Sequence, residues 1–342
     1  MLKHWIAANA VEGIGPIKLT KLLKEHGSIE AVCSVLNADL NKADDETRKA
    51  EAKKIRILSL EDDEYPKLLK QIHDPPPVIY FRGDLEKINP SIAIVGTRAA
   101  SRYGLETAKR FAGELSALGI TVISGLALGV DSAAHMGSLD AGGKTIAVLG
   151  SGVDLIYPPS NTELAARIIN SGGALMSEFP IGYPPDTWTF PQRNRIISGL
   201  SLGVIVVEGN YESGAMITAK VALEQGREVF AVPQNIDSLS SRGPHWLIKQ
   251  GAKLIENVED ILEELKFQIP NPKLQTNFKS QIPIDLSLDE HKIISTLSNE
   301  PKHIDAISIE TGLSISEISS LLLMLEIKKV IRQLPGKIFL LS

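Results

Sequence analysis

The sequence lacks three features that would place the protein outside the cell or in a membrane. It has a single cysteine, Cys33, so no disulfide can form within the chain, which fits a reducing compartment. Its longest apolar runs, such as residues 203–207, are far shorter than the ~20 residues that cross a bilayer. Asn9, Glu12 and Gly13 interrupt any apolar stretch that could act as a signal peptide. We therefore expect a cytoplasmic protein without membrane insertion.

An excess of basic residues is also missing. The chain contains 36 Lys and Arg against 41 Asp and Glu, a formal charge of −5, whereas proteins that coat nucleic acids are commonly basic. Any site for an anion must therefore be local. Apolar residues make up 43% of the 342 residues, which predicts a folded core, and the length suits two or three domains.

Residues 1–54 are predicted to form a small helical domain of the helix-hairpin-helix type. Gly13 and Gly15 permit a tight turn, and Pro16 fits the first turn of the apolar-periodic helix that follows. Such a turn can offer backbone N–H groups to a phosphate. A helical bundle without any DNA contact fits the residues equally well, because glutamates offset part of the local lysine charge.

Residues 55–266 are predicted to form an α/β domain with a doubly wound, Rossmann-like parallel sheet. Short apolar runs alternate with helical patterns, because strands buried on both faces read as continuous apolar segments. The predicted strands are residues 78–81, 92–95, 121–124, 145–149, 174–177, 202–207 and 228–232.

A proline-containing polar linker, residues 267–285, precedes a compact unit at 286–342. Three helical patterns and a hairpin predict a winged helix there. Its third helix carries Glu317 and Glu326 where a DNA-reading helix would present basic side chains, and the unit has six basic and seven acidic residues. We therefore favour a protein-contact module over a sequence-specific reader of duplex DNA.

The chemically suggestive residues follow the predicted strands directly, where ligands bind in open parallel sheets. Gly96 allows close approach of a ligand, Thr97 offers a hydroxyl, and Arg98 supplies a guanidinium suited to phosphate. Ser124 and Gly125 follow the next strand and begin a glycine-containing loop. These loops predict a site at the carboxyl edge of the sheet.

The segment 183–195 places Trp188 and Phe190 beside two arginines, Arg193 and Arg195. Aromatic rings stack on unpaired bases while guanidinium groups hold flanking phosphates, so this segment is typical of a site for single-stranded nucleic acid. The alternative is a loop anchored by buried aromatics, with an arginine paired to a carboxylate such as Glu178 or Glu208.

Ser213 and Gly214 precede a predicted helix whose first N–H groups could hold a further phosphate. A simple helix cap explains the pair as well. "GSGVDL" lacks the third glycine of a dinucleotide fingerprint, and "GSLDAGGKT" leads into a strand rather than a helix, unlike a P-loop. We therefore expect no cofactor.

The sequence offers little for catalysis, and we expect no catalytic residue and no metal. Its histidines and lone cysteine show no metal-ligand spacing, and His135 is most simply a packing residue. Acidic residues near strand ends keep a hydrolytic acid–base pair open without specifying one. They are Asp131, Asp154, Glu178 and Glu208.

Six segments together resemble the DNA-processing protein A family, also called DprA or Smf: "VGTR", "SGLALGVDSAAH", "TIAVLGSGVDLIYPPSN", "SEFPIGYPPDTWTFPQRNRIISGLS", "VVEGNYESGAMITAKVALEQGREVFAVP" and "LIKQGAKLI". The resemblance runs from about residue 62 to 265. It implies the sheet domain with a SAM-like helical domain before it and a winged-helix domain after it, and a protein that binds single-stranded DNA rather than an enzyme. It further implies a homodimer that protects incoming strands and loads a RecA-type recombinase during natural transformation or recombination.

The resemblance also implies a DNA-binding pocket at the sheet's carboxyl edge. Carried over to this chain, its residues are Gly96, Thr97, Arg98, Ser124, Gly125, Phe190, Arg193, Asn194, Arg195, Ser213, Gly214 and Thr218. The segment "SRGPHWLI" departs from the family pattern near the expected dimer contact, so the dimer surface stays unassigned.

Two alternatives belong to other functional classes. Nucleoside-monophosphate phosphoribohydrolases use related pockets, but their "PGGxGTxxE" loop is missing, since "EGNYESGAMITA" lacks the glycine pair and the glutamate. A transcription regulator would read duplex DNA with the winged helix, whose third helix is acidic. Base release from nucleoside monophosphates and duplex sequence preference distinguish these alternatives.

Overall fold

The computed structural model describes residues 1–86, 88, 90–265, 288–297, 302–327, 330–334 and 336–341. They divide into two compact units, the first ending with the helix Val258–Leu265 and the second beginning with the helix Leu288–Thr296. The predicted linker at residues 267–285 lies outside the described residues.

Four helices open the first unit. Ser28 and Asp39 cap the third and fourth of them by accepting hydrogen bonds from Ala31 N and Asn41 N, and Gly27 ends the second in a left-handed conformation. The helices are α1 (Leu2–Asn9), α2 (Pro16–His26), α3 (Ile29–Leu36) and α4 (Leu40–Ala52).

A sheet of nine described strands follows, in the order β1-β2-β6-β5-β4-β3-β7-β8-β9. The strands from β6 to β9 in this order are parallel, and the β1–β2 hairpin adds to β6 in the antiparallel sense. The strands are β1 (Arg56–Ser59), β2 (Val78–Gly83), β3 (Ser91–Val95), β4 (Thr121–Ser124), β5 (Thr145–Val148), β6 (Ala174–Ser177), β7 (Gly203–Val206), β8 (Glu228–Ala231) and β9 (Lys253–Leu254).

Helices connect the parallel strands, as the alternating pattern predicts, and the doubly wound α/β fold is confirmed. The helices are α5 (Lys67–Lys70), α6 (Arg102–Ala117), α7 (Val130–Asp140), α8 (Thr162–Asn170), α9 (Thr189–Gly199), α10 (Gly214–Glu224), α11 (Arg242–Lys249) and α12 (Val258–Leu265), of which α6 to α11 join successive parallel strands. On α6, Ala108, Phe111, Ala112 and Leu115 are fully buried, which is the apolar face expected from their spacing.

The direction in which successive strands are added to the sheet reverses beside β3. From β3 the chain adds β4, β5 and β6 on one side, and then returns to place β7, β8 and β9 on the other. This reversal separates the loops that leave β3 and β7, and such a topological switch point is where open α/β sheets form their binding crevice.

The N-terminal helices pack on the sheet. Trp5 of α1 and Leu19 of α2 belong to one hydrophobic cluster with Tyr80 of β2 and with Leu149, which follows β5. Trp5 and Leu19 are each 1% exposed. The same cluster therefore stabilises the helices and the edge of the sheet, and it fixes α2 relative to the sheet.

The second unit is a winged helix, as predicted. A hydrophobic cluster that includes Ile293, Ile307, Ile318 and Phe339 holds it together. A two-residue strand that the sequence pattern does not reveal pairs with the hairpin. The elements are α13 (Leu288–Thr296), β10 (Lys302–His303), α14 (Ile304–Thr311), α15 (Ile315–Ile327), β11 (Ile331–Leu334) and β12 (Ile338–Leu341).

Within the described residues, no single helix is both long enough and apolar enough to cross a bilayer. Only α14 and α15 taken as a pair reach that length and composition, and the chain bends by 110° between them.

Candidate functional site

A cavity of about 730 Å³ opens at the carboxyl ends of β3 and β7, at the switch point of the sheet. Three elements form most of its wall: the loop between β3 and α6, one face of α9, and the first turn of α10. Nine of the predicted site residues line it, and they are Gly96, Thr97, Arg98, Phe190, Arg193, Asn194, Ser213, Gly214 and Thr218.

The loop after β3 begins with Gly96, at a position where no side chain fits. A Cβ on Gly96 would lie 2.4 Å from Cγ2 of Val130, so a side chain there would push α7 away. Thr97 N donates to Glu208 O at 2.8 Å, which ties this loop to the end of β7. Arg98 follows with an exposed side chain, and its guanidinium carbon lies 5.1 Å from the centre of the Phe190 ring.

One face of α9 supplies the aromatic and polar wall of the cavity. Phe190, Arg193, Asn194 and Ile197 are spaced three or four residues apart and therefore lie on the same side of the helix. The half-buried Phe190 ring lies beside Tyr157, with 5.7 Å between ring centres and a tilt of 42°. The ring borders the open cavity.

The first turn of α10 faces the same cavity. Ser213 is the N-cap residue, but its hydroxyl accepts no bond from the helix and is buried without a hydrogen-bond partner in the described part of the chain. A Cβ on Gly214 would meet nothing within 4 Å, so the backbone is open to a ligand. Free N–H groups and the helix dipole make this turn a favourable position for an anion.

A buried arginine forms the floor of the cavity. Arg193 is 4% exposed, and its Nη1 donates to Val148 O at 2.6 Å. Burial lowers the pKa of Arg193 to about 10, against the attraction of Asp131, so the group stays cationic at neutral pH. Burial raises the pKa of Asp131, although the Arg193 charge opposes this. Asp131 accepts from Gly125 N at 3.1 Å.

Gly125 borders a smaller pocket that adjoins the main cavity beside Phe190 and Arg193. A Cβ at this position would lie 1.8 Å from Nη1 of Arg193. The glycine therefore provides the space through which the guanidinium reaches the floor of the cavity.

Two of the predicted residues lie elsewhere. Ser124 is fully buried, and its hydroxyl donates to Ile94 O at 2.7 Å, so it connects β4 with β3 beneath the cavity. Arg195 lies on the opposite face of α9, where it pairs with the buried Glu178 and with Asp74 Oδ2 at 3.2 Å from Nε. The alternative interpretation, in which an arginine of this segment pairs with a carboxylate such as Glu178, is therefore correct for Arg195.

Trp188 also lies away from the cavity. It packs edge-on against Phe179 and Tyr183, with ring centres 5.8 and 6.2 Å apart. The two aromatic residues that the sequence places side by side thus separate, and only Phe190 borders the main cavity.

The acidic candidates for hydrolysis are held by neighbours. Glu208 accepts from Ser101 N at 2.8 Å at the start of α6, and Asp154 pairs with Lys53 at 2.5 Å. Asp131 accepts a hydrogen bond from Gly125 N, and Glu178 pairs with Arg195. His135 is fully buried with Nδ1 2.7 Å from Thr145 Oγ1, and burial lowers its pKa to about 3. The described residues contain no cluster of three or more side chains suited to a metal.

Sequence reasoning missed several residues of the cavity wall. Tyr157 belongs to the segment that follows β5, and its position next to an expected binding edge is the signal that could have identified it. Leu239 and Ser240 come from the segment between β8 and α11, which carries no recognisable motif. Only the folded chain brings that segment to the cavity.

Fold and site together define a Rossmann-like protein with an aromatic and cationic pocket at the carboxyl edge of its sheet, followed by a winged-helix unit. Residues 56–266 match the family of the DNA recombination-mediator protein A, and residues 279–337 match the DprA winged helix domain. The chain belongs to the DprA/Smf family.

Relatives and solved structures agree with this family. The protein Smf of Escherichia coli (strain K12) is 41% identical over 284 residues, which cover 82% of this chain and 76% of that protein. The X-ray structure of DNA processing protein A from Streptococcus pneumoniae has 35% identity and a TM-score of 0.67, covering 77% of this chain and 97% of that one. A Helicobacter pylori relative, whose structure concerns its single-stranded DNA binding mode, has 30% identity and a TM-score of 0.56, covering 63% and 97%.

Proposed function

We propose that this protein binds single-stranded DNA in the cavity at the switch point, protects incoming strands and loads a RecA-type recombinase onto them. Natural transformation or another recombination process is the setting. The observation that carries the proposal is the position of Phe190, whose ring lies close to both Arg98 and Tyr157 at a cavity that the first turn of α10 also lines.

Phosphates have two places to bind in this cavity. One is the loop of Gly96, Thr97 and Arg98, where backbone and guanidinium donors are close together. The other is the start of α10 at Ser213 and Gly214, where the helix dipole adds to the free N–H groups. A strand that contacts both passes over α9.

Bases are expected to stack on Phe190. Every base has an aromatic face, so stacking tolerates any sequence, and Arg98 can pair with a neighbouring phosphate or cover the stacked ring. The cavity therefore suits a protein that must accept strands of arbitrary sequence.

Electrostatics make this a focused site. Residues 90–265 hold thirteen basic and eighteen acidic side chains, so the surface as a whole repels DNA. Arg193 brings a positive charge to the floor of the cavity, and its burial weakens the screening of that charge by water. Affinity should therefore depend on few phosphates, and its salt dependence should be shallow.

The proposal includes two partners and no catalytic activity. The partners, which the family resemblance favours, are a second copy of this chain in a homodimer and a RecA-type recombinase. We assign no catalytic step to the cavity, because the carboxylates near it are held in hydrogen bonds and ion pairs with the protein itself.

The experiment is fluorescence anisotropy with labelled single-stranded and duplex oligonucleotides at two salt concentrations. Arg98→Ala should lose most of its single-strand affinity, and Arg102→Ala is the matched control, since that exposed arginine lies four residues further on, outside the cavity wall. Equal affinity of both variants, or equal binding of duplex by the wild type, would contradict the proposal. Loading is then tested by adding the protein in stoichiometric amounts to strands coated with a single-strand-binding protein and measuring the assembly of RecA-type recombinase filaments on them.

A further inference from the structure

A second cavity, of about 560 Å³, lies on the opposite side of α9 and has no role in the proposed function. Helix α9 forms the wall between the two, because Gln192 and Arg195 face the second cavity while Phe190, Arg193 and Asn194 face the first. The wall of the second cavity also includes Gly15, Ile17, Lys18, Lys21 and Asp74.

Helix α2 begins in this cavity without a side-chain cap. Its N-cap is Gly15, and the N–H groups of Ile17 and Lys18 have no acceptor among the described residues. A Cβ on Gly15 would meet nothing within 4 Å, so the turn is open to a ligand. With eleven residues, α2 has a dipole that favours an anion at this end.

Arg195 provides an independent sign of a missing anionic partner. Its side chain is only 8% exposed. Two of its nitrogen atoms pair with Asp74 and Glu178, but Nη1 is buried and has no hydrogen-bond acceptor in the described structure. Buried guanidinium N–H groups normally have acceptors, so Arg195 brings to the cavity wall a polar group whose partner the described residues do not supply.

Two lysines place ammonium groups on the α2 side of the cavity. Asp74 and Glu178 carry one carboxylate more than Arg195 can neutralise, and Lys18, which is exposed and forms no ion pair within the described residues, offsets that excess. Lys21 lies one turn further along the same face, 3.9 Å from Glu25. The combination of helix N–H groups, ammonium groups and a guanidinium suits a phosphate group.

We propose that this second cavity binds a backbone phosphate of the same DNA strand after the strand has crossed α9. The inference rests on the proposed function, since the first cavity supplies the strand. A helix with its side chains is about 10 Å across, so a few additional nucleotides reach from one cavity to the other. The N-terminal helices thereby become part of the DNA path.

Charge reversal on α2 tests this inference. Lys18→Glu changes the cavity, and Lys24→Glu makes the same change in the last turn of α2, outside it. A glutamate in the first turn suits the helix dipole, so Lys18→Glu should fold at least as well as the control. Thermal melting checks both variants.

Anisotropy is measured with single strands of about 5 and about 30 nucleotides, since binding sites of this kind commonly cover roughly 4 to 16. On long strands, Lys18→Glu should bind several-fold more weakly than Lys24→Glu, with a log–log salt slope lower by about 0.7 for one lost phosphate contact. On short strands the two variants should agree.

Equal affinities and slopes of the two variants on long strands would overturn the second site while leaving the first intact. Weakening of duplex binding alone would also overturn it, because the phosphate would then belong to a duplex. A wild-type protein that binds neither strand length would instead refute the proposed function itself, so the two failures are distinguishable.

Discussion

Arg193 and Arg195 are two residues apart in α9 and lie on opposite faces of that helix. Successive helical residues are rotated by about 100°, so a separation of two nearly reverses the direction. Arg193 reaches over Gly125 to Val148 O, whereas Arg195 pairs with Glu178. One guanidinium therefore charges the floor of the first cavity, and the other forms a buried ion pair beside the second.

Removal of the Phe190 ring should weaken binding of single strands. We expect Phe190→Ala to cost about 1–3 kcal/mol of binding free energy, because base stacking on an aromatic side chain contributes that much. Trp188→Ala is the control, since Trp188 packs on Phe179 and Tyr183 instead. Anisotropy titrations measure both. A similar loss in the two variants, or a lowered melting temperature for Phe190→Ala alone, would argue that Phe190 only stabilises the fold.

A methyl group at the start of α10 should obstruct a phosphate without disturbing the protein. Gly214→Ala should keep its melting temperature, because the new Cβ meets nothing within 4 Å, but its single-strand affinity should fall several-fold. Gly113→Ala, in α6 and outside the cavity wall, is the control. Unchanged affinity of Gly214→Ala would remove this helix N-terminus from the site.

The ion pair of Arg195 with Glu178 should appear in stability measurements. Arg195→Met leaves the buried Glu178 carboxylate without its main partner and should lower the free energy of unfolding by about 3–5 kcal/mol. The double variant Arg195→Met/Glu178→Met should recover most of this loss, because no charge is then left unpaired. Urea titrations of the three proteins test the pair. Loss of short-strand affinity in a stably folded Arg195→Met would instead place Arg195 in the first cavity's function.

Acid should destabilise the protein through His135. The pKa of His135 is about 3 in the fold and 6.5 in the unfolded chain, so between these values the unfolded state binds more protons, and stability falls as the pH falls. From pH 7 to pH 5 the contribution is about 2 kcal/mol. Urea titrations of the wild type and His135→Gln at both pH values isolate it. Identical pH dependence of the two proteins would show that His135 does not carry this effect.

Much of the fold follows from the sequence for a simple physical reason. Strands buried on both faces, such as β3 and β7, consist of continuous apolar residues and are bounded by glycine or polar residues. The short edge strands β1 and β9 have no such pattern, so the sequence does not predict them. The strand order depends on how the helices pack, so it becomes visible only in the structure.

The site was predictable where one loop follows one strand. Gly96, Thr97 and Arg98 must lie at the carboxyl edge once β3 is recognised, and the structure places them there. The sequence does not reveal the direction in which each side chain of the segment 183–195 points. The sequence places Arg193 and Arg195 side by side, as in a loop, whereas in the structure a helix that begins at Thr189 points them to opposite faces.

Helix α9 forms one wall of each cavity, and this makes the two sites thermodynamically linked if a ligand moves the helix. A ligand on one side that shifts α9 changes the shape of the other side by the same rigid displacement. Linkage then requires reciprocity: whatever factor an occupant of the first cavity applies to affinity in the second, the second applies to the first. If binding on one side strengthens binding on the other, release of a strand from either cavity weakens its binding in the other by the same factor.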